Sequence, residues 1–338
     1  MALPRLRPID LLPDLDPLRD WLDGTLVLGT AGADEIEVQG RMKVVFAGRG
    51  NDLVLSDTGA GSAKALGNLL MGGQGDDQLT ALGGRNALLG DQGHDTLTLG
   101  DRFQPGESHH GIAFGGSGDD RISAFGSNHR IYGDGGNDTL ILGGPIGLDN
   151  AAFGGSGNDT LTSHSRRTTL DGGSGNDLLM SFSAGPARTH LVESGVTLTG
   201  GSGADRFALH NQSVLLAHGD TDGALSEGDA LSGVIDVITD YQAGERVILG
   251  GGGEAALREA PVHLAGITWP GTGGGRAPLL HDGDYAYLRG ALTGAGRFTI
   301  GAEGEDLLLI YDRPDGTDTP QTGAVAFLGW SEDSVLIA

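Results

Sequence analysis

Nine aspartates in this sequence each close a glycine-rich hexapeptide of the same pattern. The pattern is two small residues, any residue, glycine, any residue and then aspartate. We call these residues the closing aspartates, and they are Asp34, Asp52, Asp77, Asp95, Asp120, Asp138, Asp159, Asp177 and Asp205. Their successive separations along the chain are 18, 25, 18, 25, 18, 21, 18 and 28. The shortest separation recurs and is the basic period of the repeat, to which insertions are added.

The residue types of the hexapeptide favour a hard metal ion. Glycine adopts left-handed backbone conformations without a Cβ clash, so several carbonyl oxygens can converge on one point. The closing aspartate adds a carboxylate, and neighbouring strands of a stacked structure lie about 4.8 Å apart. A flexible ring of negatively charged oxygen ligands is what Ca²⁺ prefers. In a single copy the aspartate would equally well accept amide hydrogens within a turn, but nine copies in one register favour calcium.

Short strand-like stretches must position these loops. TLTL at 96–99, TLIL at 139–142 and TLT at 160–162 follow closing aspartates and alternate as half-buried strands do. The basic period accommodates two such strands and two tight turns, which is one coil of a flattened solenoid. We therefore predict an all-β fold, a parallel β-roll (β-solenoid) with calcium loops along one edge and a small β-rich C-terminal region as its cap. The opposite edge would hold the variable turns, with insertions around 57–67, 101–110, 145–150 and 184–195.

The hexapeptides and the strands after them resemble the RTX, or haemolysin-type calcium-binding, repeats, whose nonapeptide GGxGxDxUx forms a calcium-bound parallel β-roll. GGSGDDRIS (115–123) and GGSGNDTLT (154–162) match all positions of this motif. In that family each ion lies between stacked loops, so these loops imply up to about eight calcium ions. The resemblance implies that the closing aspartates are metal ligands, together with the loop glycines Gly72, Gly73, Gly75, Gly90, Gly93, Gly115, Gly116, Gly118, Gly133, Gly135, Gly136, Gly154, Gly155, Gly157, Gly172, Gly173, Gly175, Gly200, Gly201 and Gly203.

Three closing aspartates fit the family pattern less well than the others. GTAGAD and AGRGND, which end in Asp34 and Asp52, replace motif glycines with threonine and alanine. Asp205 ends the run and therefore has a neighbouring loop on one side only. Many family members also carry the motif on both edges, whereas here every second half-turn has it. We expect a roll that binds calcium along one edge.

The predicted roll spans residues 24–205, and the flanking regions are expected to cap it. Residues 1–23 would form an N-terminal cap, because a solenoid must cover its open end. A short helix there would place Leu18, Trp21 and Leu22 over the first coil. Residues 206–338 would form the C-terminal cap. Its residues over the last coil would be Phe207, Ile238, Tyr241, Val247 and Ile248.

The C-terminal region also resembles the part of serralysin-type domains that closes the roll. The resemblance rests on GVIDVITDYQAGERVIL (233–249), EGEDLLLIYDRPDG (303–316) and the final residues. It implies an uncleaved C-terminal signal for type I secretion. In the first of these segments, Asp236 and Asp240 would either bind a further ion or occupy a buried turn. Gly250–Gly253 and residues 270–278 are expected to be loops.

Composition excludes several classes of function. Asp and Glu total 45 against 21 Lys and Arg, and the net charge of −24 argues against a nucleic-acid partner. There is no cysteine, so disulfides and thiolate metal sites are excluded. Apolar runs are too short for a transmembrane segment. Neither HExxH nor GxSxG occurs, which removes the usual zinc-protease and hydrolase centres. The chain is therefore predicted to be non-enzymatic.

These observations lead to a functional expectation with two alternatives. We expect a secreted calcium-binding RTX protein, extracellular to a Gram-negative bacterium, that folds on external Ca²⁺ and has a structural, adhesive or surface-associated role. Its partners would be calcium ions and the type I secretion apparatus. One alternative is an export or accessory module of a separate or lost hydrolase of the serralysin or lipase type. The other is an unrecognised enzyme within residues 206–338.

Charge placement predicts that the roll is polarised. Most cations of the repeat region fall in the half-turns opposite the closing aspartates. An anionic surface polysaccharide or a second copy of the chain would suit such an edge, although cations are also expected there simply because calcium loops exclude them. The basic residues are Arg41, Lys43, Lys64, Arg85, Arg102, Arg130, Arg166, Arg167 and Arg188, with His109, His110, His129, His164 and His190.

Overall fold

The computed structural model describes residues 26–57, 67–103, 108–144, 147–182, 195–210, 216–218, 227–242, 245–249, 258–259, 284–293, 297–301, 303–312 and 322–329. These residues form strands, turns and bends, and none of them is helical. The chain divides into two compact units, the first Met1–Gly147 with Ala151–Gly157 and the second Leu148–Asn150 with Asn158–Ala338. The predicted N-terminal cap, with Leu18, Trp21 and Leu22, lies outside the described residues.

The first unit is a parallel solenoid in which consecutive strands alternate between two sheets. Its strands are β1 (Leu26–Leu28), β2 (Glu35–Gln39), β3 (Val44–Arg49), β4 (Leu53–Asp57), β5 (Leu69–Gln74), β6 (Gln78–Ala81), β7 (Ala87–Gln92), β8 (Thr96–Leu99), β9 (Ile112–Ser117), β10 (Arg121–Phe125), β11 (Arg130–Gly135), β12 (Thr139–Gly143) and β13 (Ala151–Ser156). Odd-numbered strands pair in parallel with one another, and so do even-numbered strands. The predicted all-β parallel solenoid is confirmed.

The second unit begins with parallel strands of the same kind and then changes to antiparallel pairing. Its strands are β14 (Thr160–Ser163), β15 (Thr168–Ser174), β16 (Leu178–Ser181), β17 (Val196–Ser202), β18 (Arg206–Leu209), β19 (Leu216–His218), β20 (Ala230–Ser232), β21 (Asp236–Ile238), β22 (Arg246–Leu249), β23 (Arg258–Glu259), β24 (Asp284–Thr293), β25 (Arg297–Ile300), β26 (Asp306–Asp312) and β27 (Thr322–Phe327). Strands β14, β16, β18 and β22 pair in parallel, as do β15, β17, β21 and β27. Strands β27, β26, β24, β25, β20 and β19 then pair antiparallel in that order.

Each coil of the first unit buries one or two small aliphatic side chains per strand. Leu79 of β6, Leu97 of β8 and Ile122 of β10 occupy equivalent positions in register and are fully buried. Because side chains alternate across a strand, their neighbours in sequence face outward. On the outer face of the odd-numbered strands, the rings of Phe114 and Tyr132 stack 4.8 Å apart. The interior is therefore thin, as the low aromatic content of 5% predicts.

The insertions do not disturb the strand register. Arg121 pairs with Thr139, which lies one basic period further along the chain, and with Thr96, from which it is separated by the basic period and an insertion. Strand pairing is therefore the same with and without an insertion. The described turns opposite the closing aspartates contain non-glycine residues with positive φ, among them Arg85 (57°) and Asp149 (58°).

The antiparallel part of the second unit has an apolar core of its own. This core contains Leu231, Ile235, Leu288, Phe298, Ile300, Leu308, Ile310, Ala324 and Ala326. Of the residues expected over the last coil, Phe207, Ile238 and Val247 are buried, and Tyr241 and Ile248 are partly buried. The predicted loops at Gly250–Gly253 and 270–278, and the final residues of the proposed secretion signal, lie outside the described residues.

Candidate metal-binding edge

Each closing aspartate lies at the end of a glycine-rich loop that joins a strand of one sheet to a strand of the other. In the coil that contains Asp95, β7 ends at Gln92, Gly93 turns the chain with a φ of 134°, and β8 begins at Thr96. A Cβ on Gly93 would overlap the carbonyl oxygen of Gly75 in the preceding coil. Only glycine allows both this φ and this approach, so the loops stack with their backbones in contact.

The closing aspartates form a hydrogen-bonded ladder within each unit. One carboxylate oxygen, Oδ1, accepts the backbone N–H of the closing aspartate in the preceding coil. In the first unit Asp52, Asp77, Asp95, Asp120 and Asp138 accept in this way from Asp34, Asp52, Asp77, Asp95 and Asp120, at 2.7–2.8 Å. In the second unit Asp177 accepts from Asp159 at 2.7 Å and Asp205 accepts from Asp177 at 2.8 Å. The ladder fixes every carboxylate in the same orientation.

The second oxygen of these carboxylates is buried and lacks a hydrogen-bond partner among the described residues. This holds for Oδ2 of Asp52, Asp77, Asp95, Asp120, Asp177 and Asp205. All six side chains are 1–2% exposed. A buried anionic oxygen without a partner is strongly unfavourable, so this arrangement calls for a cation.

Carbonyl oxygens surround the same space. A Cβ on Gly90 would overlap Asp95 Oδ2 and lie 2.5 Å from the carbonyl oxygen of Gly115 in the following coil. Gly172 is in the same position relative to Asp177 Oδ2 and the Gly200 carbonyl. In the loops of Asp95, Asp120 and Asp177 the unpartnered carboxylate oxygen therefore lies close to a carbonyl oxygen of the following loop, and these are the donors that Ca²⁺ takes. The residues present fit calcium.

Side chains alone do not form the site. Within the described part of the chain, no three His, Cys, Asp or Glu side chains come together as a metal-binding group. The remaining donors must therefore come from the backbone. This agrees with a sequence that keeps glycines at fixed positions and adds no further acids, and the role of the loop glycines as metal ligands stays a prediction.

Burial raises the pKa of these carboxyl groups in the absence of a cation. The pKa of Asp120 rises to about 7, and those of Asp77, Asp95, Asp138 and Asp177 rise to about 6. Loss of hydration is the largest cause in each, although the amide hydrogen bond from the preceding coil lowers the pKa and a nearby aspartate raises it further. The fold thus holds the ionised carboxylates in an environment that disfavours their charge.

Asp34 differs from the other closing aspartates. Its Oδ2 accepts hydrogen bonds from the backbone N–H of Thr30 at 2.6 Å and from Thr30 Oγ1 at 2.9 Å. The threonine stands where the family motif has glycine, so the departure noted in the sequence has a structural consequence. Both oxygens of Asp52, in contrast, are placed like those of the later loops. Asp52 is therefore the first closing aspartate along the chain whose second carboxylate oxygen is left for a cation.

A second ladder runs along the outside of the same loops, and the sequence analysis missed it. Where the residue before a closing aspartate is Asn, Asp or His, its side chain can accept the N–H of its equivalent in a neighbouring coil. Asp76 Oδ1 accepts from His94 N at 2.9 Å, and His94 Nδ1 accepts from Asp119 N at 2.8 Å. Asn176 Oδ1 accepts from Ala204 N at 2.8 Å. The recurrence of Asn, Asp and His at this position was a readable signal, because these side chains carry acceptors.

A third ladder, also missed, lies buried at the opposite edge. Asn68 Oδ1 accepts the N–H of Lys43 at 2.8 Å, Asn86 Oδ1 accepts that of Asn68 at 2.9 Å, and His129 Nδ1 accepts that of Gly111 at 3.0 Å. The Nδ2 of Asn68 donates to Gly40 O and Ser56 Oγ. Burial lowers the pKa of His129 to about 4, so these three acceptor side chains are neutral at pH 7.

The structure places several predicted basic residues in the turns of this opposite edge. Arg85 and Arg167 have positive φ there, and Arg167 forms an ion pair with Asp149. Lys64, Arg188 and His190 lie outside the described residues. Asp236 is at this edge too: its Oδ1 accepts the N–H of Val196 at 2.8 Å, so it is not part of the glycine-rich loops.

Comparison with known proteins supports the identity of the repeats. The chain matches the family described as RTX calcium-binding nonapeptide repeat (4 copies) over residues 65–97, 106–140 and 148–179. No curated protein sequence matches it. One similar crystal structure is that of a hyperactive, Ca²⁺-dependent, beta-helical antifreeze protein from an Antarctic bacterium, at 21% identity and a TM-score of 0.38. That match covers 63% of this chain and 66% of the other, just under two thirds of its length. At this score the likeness carries no argument about function.

In the described part of the chain, no helix has the length and hydropathy of a membrane span.

Proposed function

We propose that this chain, which carries RTX calcium-binding repeats, is a secreted, non-enzymatic protein that folds when it meets extracellular Ca²⁺ and then has a structural or adhesive role at the surface of a Gram-negative cell. One observation carries the proposal. Six closing aspartates each bury a carboxylate oxygen that has no hydrogen-bond partner among the described residues, and in the loops of Asp95, Asp120 and Asp177 a backbone carbonyl of the following coil lies close to it. Bound calcium would neutralise these oxygens.

Calcium would therefore supply stability that the polypeptide lacks. Ordering a glycine-rich chain is entropically expensive, and the interior of each coil is thin. A ligand that binds only the folded state adds about 2.7 kcal/mol per site when its concentration is 100 times its Kd. Several such sites together exceed the net stability of a typical domain, which is about 5–15 kcal/mol. Occupancy of the row decides whether the solenoid forms.

This dependence suits secretion as an unfolded chain. Free calcium is scarce in the cytosol and abundant outside the cell, so the carboxylates would repel one another before export and bind calcium after it. A chain that stays unfolded inside the cell can pass a type I secretion channel. The absence of cysteine from the sequence is compatible with this route, because no disulfide is then needed for stability outside the cell.

The surface role that we propose draws on the cations of the opposite edge. Arg41, Arg85 and Arg130 are exposed, and an anionic polysaccharide is a partner that such residues recognise. Replacing these three with serine should weaken binding to acidic glycans. Replacing Arg121, an exposed arginine at the start of β10, should leave binding unchanged. Equal binding by all variants would contradict the adhesive role.

Calcium dependence of folding is the central test. Far-UV circular dichroism and amide hydrogen exchange are measured on the full chain in EDTA and in millimolar Ca²⁺. We expect β structure and protection of β5 to β12 to appear on addition of calcium and to be lost again with chelator. Magnesium at the same concentration serves as the control, because it requires a tighter octahedral site and gives up its water reluctantly. The same β content in EDTA as in calcium would refute the proposal.

A further inference from the structure

Glu245 occupies the position of a closing aspartate one coil beyond Asp205. Strand β22 pairs with β18 in parallel, with Arg246 opposite Arg206. The N–H of Arg246 donates to the carbonyl of Asp205 at 3.0 Å, just as the N–H of Arg206 donates to the carbonyl of Asp177 at 2.8 Å. The residue before Arg246 is therefore equivalent to the residue before Arg206. Its separation from Asp205 is far longer than the basic period, and the loop contains QAGE in place of the glycine-rich hexapeptide, so the repeat pattern does not reveal it.

Two buried carboxylate oxygens meet at this last rung. Glu245 is 5% exposed; its Oε2 accepts the N–H of Gln242 at 2.7 Å, and its Oε1 has no partner among the described residues. Asp205 is 1% exposed, and its Oδ2 also lacks a partner there. The Glu245 and Asp205 side chains are close enough for a direct hydrogen bond, which two carboxyl groups form only when one of them is protonated. Burial, this contact and the nearby carboxylate of Asp240 raise the pKa of Glu245 to about 7.

Asp240, the more obvious acid in this segment, has a different task. Its Oδ1 accepts the N–H of Gly200 at 2.9 Å and its Oδ2 accepts the N–H of Gly201 at 2.8 Å. Both oxygens are thus used to cap the last glycine-rich loop. Gln242 completes that cap by donating Nε2 to the carbonyl of Gly201 at 3.2 Å. Within this segment, the oxygens that remain available to a cation are therefore those of Asp205 and Glu245.

We propose that Asp205 and Glu245 together bind a divalent cation, calcium by the chemistry of their donors, in a terminal site that lies beyond the glycine-rich repeats and fastens β22 to β18. The inference rests on the proposed function and extends it to a position outside the nonapeptide repeats. Two adjacent buried carboxylates without a counter-ion repel each other, and a cation between them turns this repulsion into a link. Calcium would then order the start of the C-terminal region as well as the roll.

The test compares Glu245→Gln with a matched control, Glu303→Gln. Both variants remove one negative charge and keep the side-chain shape, but Glu303 is exposed. Bound calcium is counted by native mass spectrometry or equilibrium dialysis of the full chain. We expect Glu245→Gln to bind one ion fewer than the wild type, and Glu303→Gln to bind the same number. The same count in Glu245→Gln as in the wild type would overturn the terminal site.

A second measurement covers the case in which Glu245→Gln does not fold. Hydrogen exchange of the wild-type chain is followed during a calcium titration, and the amides of Arg246–Leu249 are read separately. We expect calcium to increase their protection; unchanged protection at calcium saturation would refute the inference. If the wild type binds calcium and only these results fail, the proposed function stands. If it binds no calcium at all, both fail.

Discussion

The two edges of the coils solve the same packing problem with different side chains. At the glycine-rich edge, Asp95 accepts the N–H of Asp77 with one carboxylate oxygen and buries the other without a partner in the described part of the chain. At the opposite edge, Asn68 accepts the N–H of Lys43 with its amide oxygen and satisfies its own NH₂ group on Gly40 and Ser56. Both ladders stack coil on coil. Asp95 leaves negative charge behind, whereas Asn68 does not.

The dependence on metal follows from this difference between the side chains of the two edges. An amide carries a donor and an acceptor, so a buried asparagine can be completed by neighbouring protein groups. An ionised carboxylate carries acceptors only, so its charge needs an external cation. The hydrogen bonds of the opposite edge are therefore expected to contribute stability that does not depend on calcium. The contribution of the glycine-rich edge to stability is expected to depend on calcium. The next three predictions test this division.

The largest effect is expected for Asn68→Ala at the opposite edge. The change removes the acceptor of Lys43 N and the donor to Ser56, which is fully buried. Each buried group left without a partner costs about 1–3 kcal/mol, so the free energy of unfolding should fall by about 3–5 kcal/mol. Because no cation is involved, the loss in urea titrations should be similar at all calcium concentrations at which the protein folds. The exposed Gln39→Ala is the control; a loss that depends on calcium would break the division.

A smaller effect, with a sign that depends on calcium, is expected for Asp95→Asn. With calcium at about 100 times its Kd, loss of one site should lower the free energy of unfolding by about 2.7 kcal/mol. Without calcium at pH 7.5, the same change should stabilise whatever structure remains, because it removes a buried charge. Stability in calcium is measured by urea titration, and the structure that remains in EDTA is measured by far-UV circular dichroism. The control is Asp91→Asn, in the same loop but exposed, which should change neither the stability in calcium nor the structure in EDTA. If Asp95→Asn is destabilising in both conditions, Asp95 is not a calcium ligand.

The smallest effect is expected from pH in the absence of calcium. The pKa values of Asp77, Asp95 and Asp120 are raised to about 6–7 in the fold, above the value of about 3.9 for an unfolded chain. The folded state therefore binds protons more tightly, and lowering the pH from 7.5 to about 5 should stabilise the metal-free fold. His129 at the opposite edge acts in the other direction, because its pKa is lowered to about 4, but it is outnumbered.

Far-UV circular dichroism of the β structure that remains in EDTA at pH 7.5, 6 and 5 checks this prediction. In the presence of calcium, the urea midpoint should show the opposite dependence on pH, since protons compete with the ion for the same oxygens. A β signal in EDTA that falls with falling pH would mean that the carboxylates are not desolvated in the metal-free state. Buried negative charge would then not be the difference between the two edges.

The structure was predictable from the sequence where a local pattern repeats. The alternation after each closing aspartate predicted the strands, and the basic period predicted the coil, because both are set by residues close together in the chain. The structure was hardest to predict where residues that contact one another are far apart in the chain. Asn68 and Asn86 precede strands just as the closing aspartates do, but Gly111 and His129 interrupt the asparagine pattern. Glu245 escaped notice because it is a glutamate in a different loop sequence, much farther from Asp205 than the basic period.

The residue types and their spacing were enough to predict a parallel β-solenoid and a calcium ligand. Glycine at fixed positions permits the backbone turns, aspartate supplies the oxygens, and alternating Thr and Leu form the strands, all through local steric and chemical preferences. The stacking of the coils adds which carboxylate oxygen of the buried closing aspartates lacks a partner among the described residues, that Thr30 hydrogen-bonds to the corresponding oxygen of Asp34, and that protein groups complete Asn68 at the other edge. These outcomes depend on which coil lies next to which, and stacking of distant segments fixes that choice.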